Sequence, residues 1–390
     1  MIDPSVAAAS IVAITILVVH WNKLAMIIKS MNKSHRARWE ARRISRFRHD
    51  EDEDEDVRPI VSGIFIHPVK SLQPVELTQT QFDQHGLVAD RRLMIVRPNP
   101  KVGEISSHRF FTQRQSPSLA TIEATEPIVI SDDDGKETKT LIKLSSSLLP
   151  DSHVYINIHP STLNVMPVRY IAGIWSDTVE VIDVGDEAAA FVAKIVSIDD
   201  PSFGDVRVVS LSESSVRAVD ARYCPDAARV GLFGCLPQGG LTDGFPILIA
   251  TQASLDELNR RLNDKGKDQL PMSRFRPNIV IGDTSKPFDE DNWKMIQIGK
   301  GKNAVILHMS KGCPRCKQSC TDQITGKRGD EPLETLSDFR VLGTSDVDVF
   351  FAQNAVLNGD SYRSSIRVGD PVTILTRGNP CWDLETSKAE

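Results

Sequence analysis

From Arg58 onward the chain is cut into short runs of β-branched and aromatic residues by turn formers, and this confines it to a mainly β architecture. Ile60–Ile66, Leu93–Val96, Leu119–Ile122, Ile128–Ile130, Leu141–Leu144, Val154–Ile158 and Trp175–Asp183 read as strands. So do Arg207–Leu211, Ile247–Ala250, Asn278–Gly282, Met295–Ile298, Ala304–His308, Phe350–Leu357 and Ser365–Leu375. Helices are few. Asp186 stands as N-cap before an apolar stretch to Ser197, Ser254-Leu-Asp-Glu257 has the spacing of a capping box opening a helix to Leu262, and Pro332–Arg340 is a short third helix. The expected fold class is mixed α/β, mainly β, with a few peripheral helices. The Gly-, Pro- and Arg-rich stretch Arg217–Gly240 is expected to be irregular, a lid or rim.

The first 57 residues are of another kind. Pro4–Asn22 is 19 residues without a formal charge, long enough as a helix to cross a hydrocarbon core. Nine Lys and Arg against two acids fill residues 1–49, all nine after the apolar run, and residues 50–56 are seven consecutive acids. Positive-inside logic makes residues 1–22 a single transmembrane anchor with the body facing the cytosol; a cleaved signal would carry its basic residues first. Residues 23–57 then form a basic, then acidic juxtamembrane linker, in which 34–49 either lie as a basic helix on anionic lipid or serve only as stop-transfer charge. The body divides into domains at 58–205 and 206–380. A net charge of −6 argues against nucleic acid as a partner, and six Cys without paired spacing suit a reducing compartment rather than a disulfide scaffold.

Two constellations carry chemistry. Cys313-Pro-Arg-Cys316-Lys-Gln-Ser-Cys320 places three of the six thiols within eight residues. Zinc or an iron–sulfur cluster would need a fourth ligand, with only His308 and the remote Cys224, Cys235 and Cys381 on offer, whereas a soft metal held by one thiolate needs none of these. Arg315 is expected to sit beside Cys316 and to favour its thiolate. The second constellation is basic: Lys70-Ser71, Asp90-Arg91, Thr112-Gln-Arg114 and Arg276-Pro-Asn278 all border strands, where they can converge on a phosphate-bearing ligand. No dinucleotide fingerprint follows a strand.

With Gly63-Ile-Phe-Ile-His-Pro-Val-Lys-Ser71, Asp90-Arg91, Phe275-Arg-Pro-Asn-Ile-Val-Ile281, Glu290-Asp-Asn-Trp293, Cys313-Pro-Arg-Cys316, Thr325-Gly326, Glu331-Pro-Leu-Glu-Thr-Leu336 and Val368-Gly-Asp-Pro371 in this order, the body resembles the MOSC proteins. Within them it resembles the mitochondrial amidoxime-reducing components. The resemblance implies a MOSC N-terminal β-barrel-like domain followed by a MOSC β-barrel domain that binds Mo-molybdopterin. Cys316 falls at the metal thiolate. Lys70, Ser71, Arg91, Arg276, Asn278 and Arg315 fall at contacts to the pterin and its phosphate, and Asp243 matches an acidic loop near the metal, with proton relay and structural cap or loop duty both open to it. Cys320 and Asn354 depart from the family pattern, the first adding a thiol near the site. The implied activity is reduction of N-hydroxylated compounds, with electrons from a b5-type cytochrome and its NADH reductase, at the mitochondrial outer membrane or the endoplasmic reticulum. Two other readings remain open: a sulfur or cofactor carrier without turnover, and a tethered structural-zinc module.

Overall fold

The computed structural model describes residues 58–101, 103–131, 138–159, 167–212, 214–229, 235–343 and 346–382. The anchor and the whole linker expected from the sequence, residues 1–57, therefore lie outside the described residues. Among the described residues no helix is long and apolar enough to cross a membrane.

Of the four β assemblies among the described residues, two position the site, the others being a sheet built on Thr138–Ser146 and a small one built on Gln79–Asp83. The first of the two is a closed barrel in the strand order Arg169–Ile174, Asp177–Asp183, Arg207–Leu211, Leu93–Pro98, His108–Phe111, closed by parallel pairing of Ala172 and Gly173 with His108 and Arg109. Its Leu93-Met-Ile-Val96 run is apolar throughout because both faces are buried. Met94 and Val96 join Val179, Val181 and Val209 inside, while Leu93 and Ile95 join the main core outside.

The second is an eight-stranded sheet in the order Val75–Leu77, Ile60–Ile66, Ile279–Gly282, Ile247–Thr251, Phe350–Leu357, Val305–Pro314, Trp293–Ile298, Val372–Arg377. Its single parallel pair, Ile247–Thr251 with Ile279–Gly282, is joined through the helix Gln252–Asp264, the crossover a parallel connection needs. A bridge between Ile60 and Pro371 ties the far end of the path back to its second strand, so the sheet curls toward a barrel.

The sequence reading departs from the structure in instructive places. Leu119–Ile122 is mostly a 3-10 turn, Pro117–Thr121, because Pro117 sits where a helical turn starts, and only Ile122–Ala124 pairs as a strand. Trp175–Asp183 is a strand only from Asp177; Trp175 lies in the turn of a hairpin. Asp186 is the first residue of its helix rather than the cap, and its carboxylate accepts from Arg207 instead. The capping box does not form. Thr251 caps that helix, the Ser254 hydroxyl donates to buried Glu290, and Glu257 is taken by Arg260 and Arg261.

Candidate functional site

The chain folds so that the strand-end basic residues and the Cys313–Cys316 segment meet in one cleft. It is lined by Lys70, Ser71, Arg91, Asp243, Arg276, Asn278, Arg315 and Cys316, and also by Arg114, Thr242, Phe245, Phe275, Cys313, Gln318 and Asn354. Every site residue expected from the sequence lies in this wall. The backbone is bent to bring them there. Ser71, Arg91 and Arg276 all have left-handed φ, at 72°, 48° and 56°, a conformation rare for such residues and concentrated where a site over-determines it. Cys313 ends a strand whose pairing with Phe350–Leu357 slips twice, between Met309 and Lys311 and between Gly312 and Pro314; such irregularities re-aim side chains at a sheet rim.

Asn278 is a pin rather than a free contact. Its Nδ2 donates to the Phe65 carbonyl, and its Oδ1 accepts from the Leu248 amide and from Arg91 Nη1, fixing three segments and one guanidinium. Arg91 is further held by Asp90 and by the Arg276 carbonyl. Arg276 donates Nη1 to the Leu72 carbonyl and to Gln323, and among the described residues no carboxylate pairs with it. Burial, and then the charge of Arg91, pull its pKa well below the usual guanidinium value. The buried nitrogens Arg276 Nη2, Arg114 Nη1 and Arg315 Nε donate to nothing among the described residues. Donors left unsatisfied inside a cleft wall are what a bound anion would complete, so the residues present fit a phosphate-bearing cofactor.

Around the sulfur the structure revises one expectation. Arg315 turns away from Cys316: its Nη1 lies 3.0 Å from Cys313 Sγ and its Nη2 donates to the Phe275 carbonyl. The guanidinium on Cys316 is that of Arg114, with Nε 3.3 Å from the sulfur. Arg114 belongs to the strand-end basic set read from the sequence, yet nothing there singled it out as the sulfur's partner. Cys320 is buried outside this cleft, its thiol donating to the Asp330 carbonyl, so it does not add a second sulfur to the wall. Among the described residues no three His, Cys, Asp or Glu are grouped to hold a metal ion, which leaves the structural-zinc reading without a ligand set.

Asp243 lies on a loop clamped by Arg217, which donates to the carbonyls of Gly240, Thr242 and Asp243 and pairs with Asp177. The irregular stretch thus begins with a buried rivet, not a lid. Its carboxylate receives Lys70 Nζ, Arg114 Nη2 at 3.2 Å and Trp175 Nε1 at 3.3 Å. Burial opposes the charge, but Lys70 and then Arg114 outweigh it and hold Asp243 well below the usual carboxylate range. Burial likewise brings Lys70 down to about 8, despite its pair with Asp243. The exchangeable proton near neutrality therefore sits on Lys70, and Asp243 is the carboxylate that orients Lys70 and Arg114.

A MOSC N-terminal beta barrel domain is matched over residues 58–199 and a MOSC domain over residues 238–373. The mitochondrial amidoxime-reducing component 1 of Mus musculus is 27% identical over 325 residues, covering 81% of this chain and 82% of its own. The mitochondrial amidoxime reducing component 2 of Rattus norvegicus is 29% identical over 333 residues, covering 80% and 82%. The molybdenum cofactor sulfurase of Homo sapiens is 26% identical over 290 residues, covering 72% of this chain and 28% of its own.

Proposed function

For a chain that belongs to the MOSC proteins and carries both of their domains, we propose a molybdenum-dependent reductase of N-hydroxylated compounds. The cofactor is the molybdenum cofactor. When bound it supplies a two-electron centre that exchanges an oxygen atom, for the balance R–NHOH + 2e⁻ + 2H⁺ → R–NH₂ + H₂O.

One observation carries the reading: a thiol, Cys316, stands in a cleft whose buried guanidinium donors lack partners among the described residues. The chain's own residues divide the work. Cys316 offers one thiolate to the metal. Arg276, Arg91 and Arg315, together with Ser71, would hold the phosphate, and Asn278 fixes Arg91. Lys70 holds a proton at Nζ in the cleft wall, kept in place by Asp243 and by the Leu241 carbonyl. Phe275, stacked on Phe351 at 3.8 Å, closes the back of the cleft against water.

Electrons come from a b5-type cytochrome and its NADH reductase. An acidic haem partner would dock on a local basic patch, Arg217–Arg229 or Lys311–Lys327; the first is weakened, because Arg217 is buried and Arg222 and Arg229 are paired with Asp220 and Asp226. In the second stretch Lys317 lines a separate cleft beside Arg315 and is the better docking charge. Residues 1–22 anchor the chain in a membrane, the outer mitochondrial one or the endoplasmic reticulum, with the body in the cytosol.

A second reading, a carrier of sulfur or cofactor, has the sulfurase likeness in its favour. One experiment separates them: the purified chain is given a model amidoxime with NADH alone, then with the cytochrome and reductase added. The reductase reading expects amidine only in the second case. No amidine in either, from protein carrying full molybdenum and pterin, would leave the carrier.

A further inference from the structure

The site described so far uses Arg114 and Asp243, but both lean on a residue with no part in holding the cofactor. Trp175 occupies the turn between the barrel strands Arg169–Ile174 and Asp177–Asp183. Its φ is 55°, in the left-handed region where two-residue hairpin turns ordinarily place Asn or Gly, and where a bulky aromatic is an outlier. Its side chain is 48% exposed, so the ring is not there to fill a core. The fold bears both a strained backbone and a wetted indole at a position a glycine would fill without either.

The surroundings give the ring a direction. The Arg114 guanidinium lies over it at 4.8 Å, and the same guanidinium donates Nε to Cys316 Sγ. Its Nε1 donates to Asp243. Phe110 lies 5.3 Å away, tilted, with Lys70 Nζ 5.7 Å from the Phe110 centroid. Two aromatic rings, each carrying one of the site's cations, thus stand behind the lining residues Lys70, Arg114 and Asp243, one guanidinium removed from the sulfur. A half-exposed indole at that place presents a flat apolar surface next to Asp243 and Arg114.

Resting on the reductase reading, we propose that Trp175 is a substrate platform: flat, conjugated N-hydroxylated acceptors stack on its exposed ring, and compact saturated ones gain nothing from it. Arg114 and Asp243 hold the indole at a fixed angle, so the N–OH end of a stacked molecule points along the guanidinium toward the Cys316 side. The barrel half of the body then selects the acceptor, while the sheet half holds the cofactor.

The test uses full-length, cofactor-loaded protein as wild type, Trp175→Phe and Trp175→Ala, with pterin and molybdenum content measured for each. Binding of benzamidoxime is measured by equilibrium dialysis without any electron donor, and KM and kcat are then measured with the full electron chain for benzamidoxime and for N-methylhydroxylamine. The platform predicts that Ala weakens benzamidoxime binding and raises its KM about tenfold, while Phe, which keeps a ring but loses the donor to Asp243, stays within about threefold. The KM for N-methylhydroxylamine should move less than about twofold in both. Equal shifts for both acceptors, or Phe and Ala behaving alike, would overturn the platform and leave Trp175 as a partner of Asp243 only. The two readings fail separately. Ring-dependent binding without turnover by the wild type would sink the reductase and keep the platform, whereas turnover with ring-independent binding would do the reverse.

Discussion

Arg276 and Arg340 are equally buried, at 7% and 6% exposure, yet they are solved in opposite ways. Arg340 donates Nη1 and Nη2 to Asp291 at 2.7 and 3.1 Å and Nε to the Phe350 carbonyl, so all three of its nitrogens are used. Phe288 lies under its guanidinium at 4.2 Å, and Gln353 donates to the same carboxylate. Among the described residues Arg276 has two acceptors on one nitrogen, no carboxylate, and a buried Nη2 that donates to nothing. The first arrangement is complete within the chain. The second is complete only with something else in the cleft, and its cost in the free protein is what a ligand anion removes.

The same contrast runs through the two cysteines of one short segment. Cys316 opens into the cleft beside Arg114, whereas Cys320 is buried, donates to Asp330, and has its thiol pKa pushed up by burial. If the distinction is functional, Cys316→Ser abolishes amidoxime turnover in protein that still folds, because a hydroxyl is a poor ligand for a soft metal. Cys320→Ser keeps most of it. Equal loss in both, with release of zinc, would erase the distinction.

The arginines come next in size. Arg340→Met leaves Asp291 buried without its partner, which costs roughly 3–5 kcal/mol and would show as a large fall in urea midpoint for the cofactor-free protein. A fall of less than about 1 kcal/mol would mean that Arg340 is not the closed pair it looks.

A smaller effect concerns pH. Burial holds Lys70 at about 8 in the free protein, and an anion in the cleft favours its charged form. The bound state therefore holds more protons above pH 8, so sulfate binding to cofactor-free protein should weaken several-fold between pH 7 and 10, and Lys70→Met should flatten the curve. The stability sign follows as well. Lys70 is protonated in the unfolded chain up to its ordinary pKa, so its buried charge penalises folding at neutral pH, and that penalty fades as pH climbs from about 8 toward 10. A flat sulfate profile would place the anion away from Lys70.

What could be read from sequence follows the reach of each signal. The strand runs were legible because burial on one or two faces leaves a local pattern, and the doubly buried Leu93–Val96 run is the clearest example. The site residues were legible as strand-end charges and, through the family likeness, as a set. What escaped were choices made in three dimensions. Which guanidinium meets Cys316 depends on the approach of the Thr112–Arg114 segment across about two hundred residues of chain, and local spacing offered the adjacent Arg315 instead. Ser254 looked like a cap because Glu257 stands three residues on, but the buried Glu290 carboxyl, whose pKa burial raises to about 7, competes for its hydroxyl. Trp175 was absorbed into a strand, since an aromatic in a turn carries no local sign of strain.

The most direct test of the account is Arg276→Met, measured for pterin per folded molecule and for the melting temperature of the cofactor-free protein. A charge-assisted bond to phosphate contributes about 1.5–3 kcal/mol, so pterin affinity should fall roughly ten- to hundredfold. The free protein should melt within a few degrees of wild type or above it, because an unpaired buried charge has been removed. A melting temperature lowered as far as in Arg340→Met, with pterin per folded molecule unchanged, would contradict the claim that this cleft is built around an absent anion.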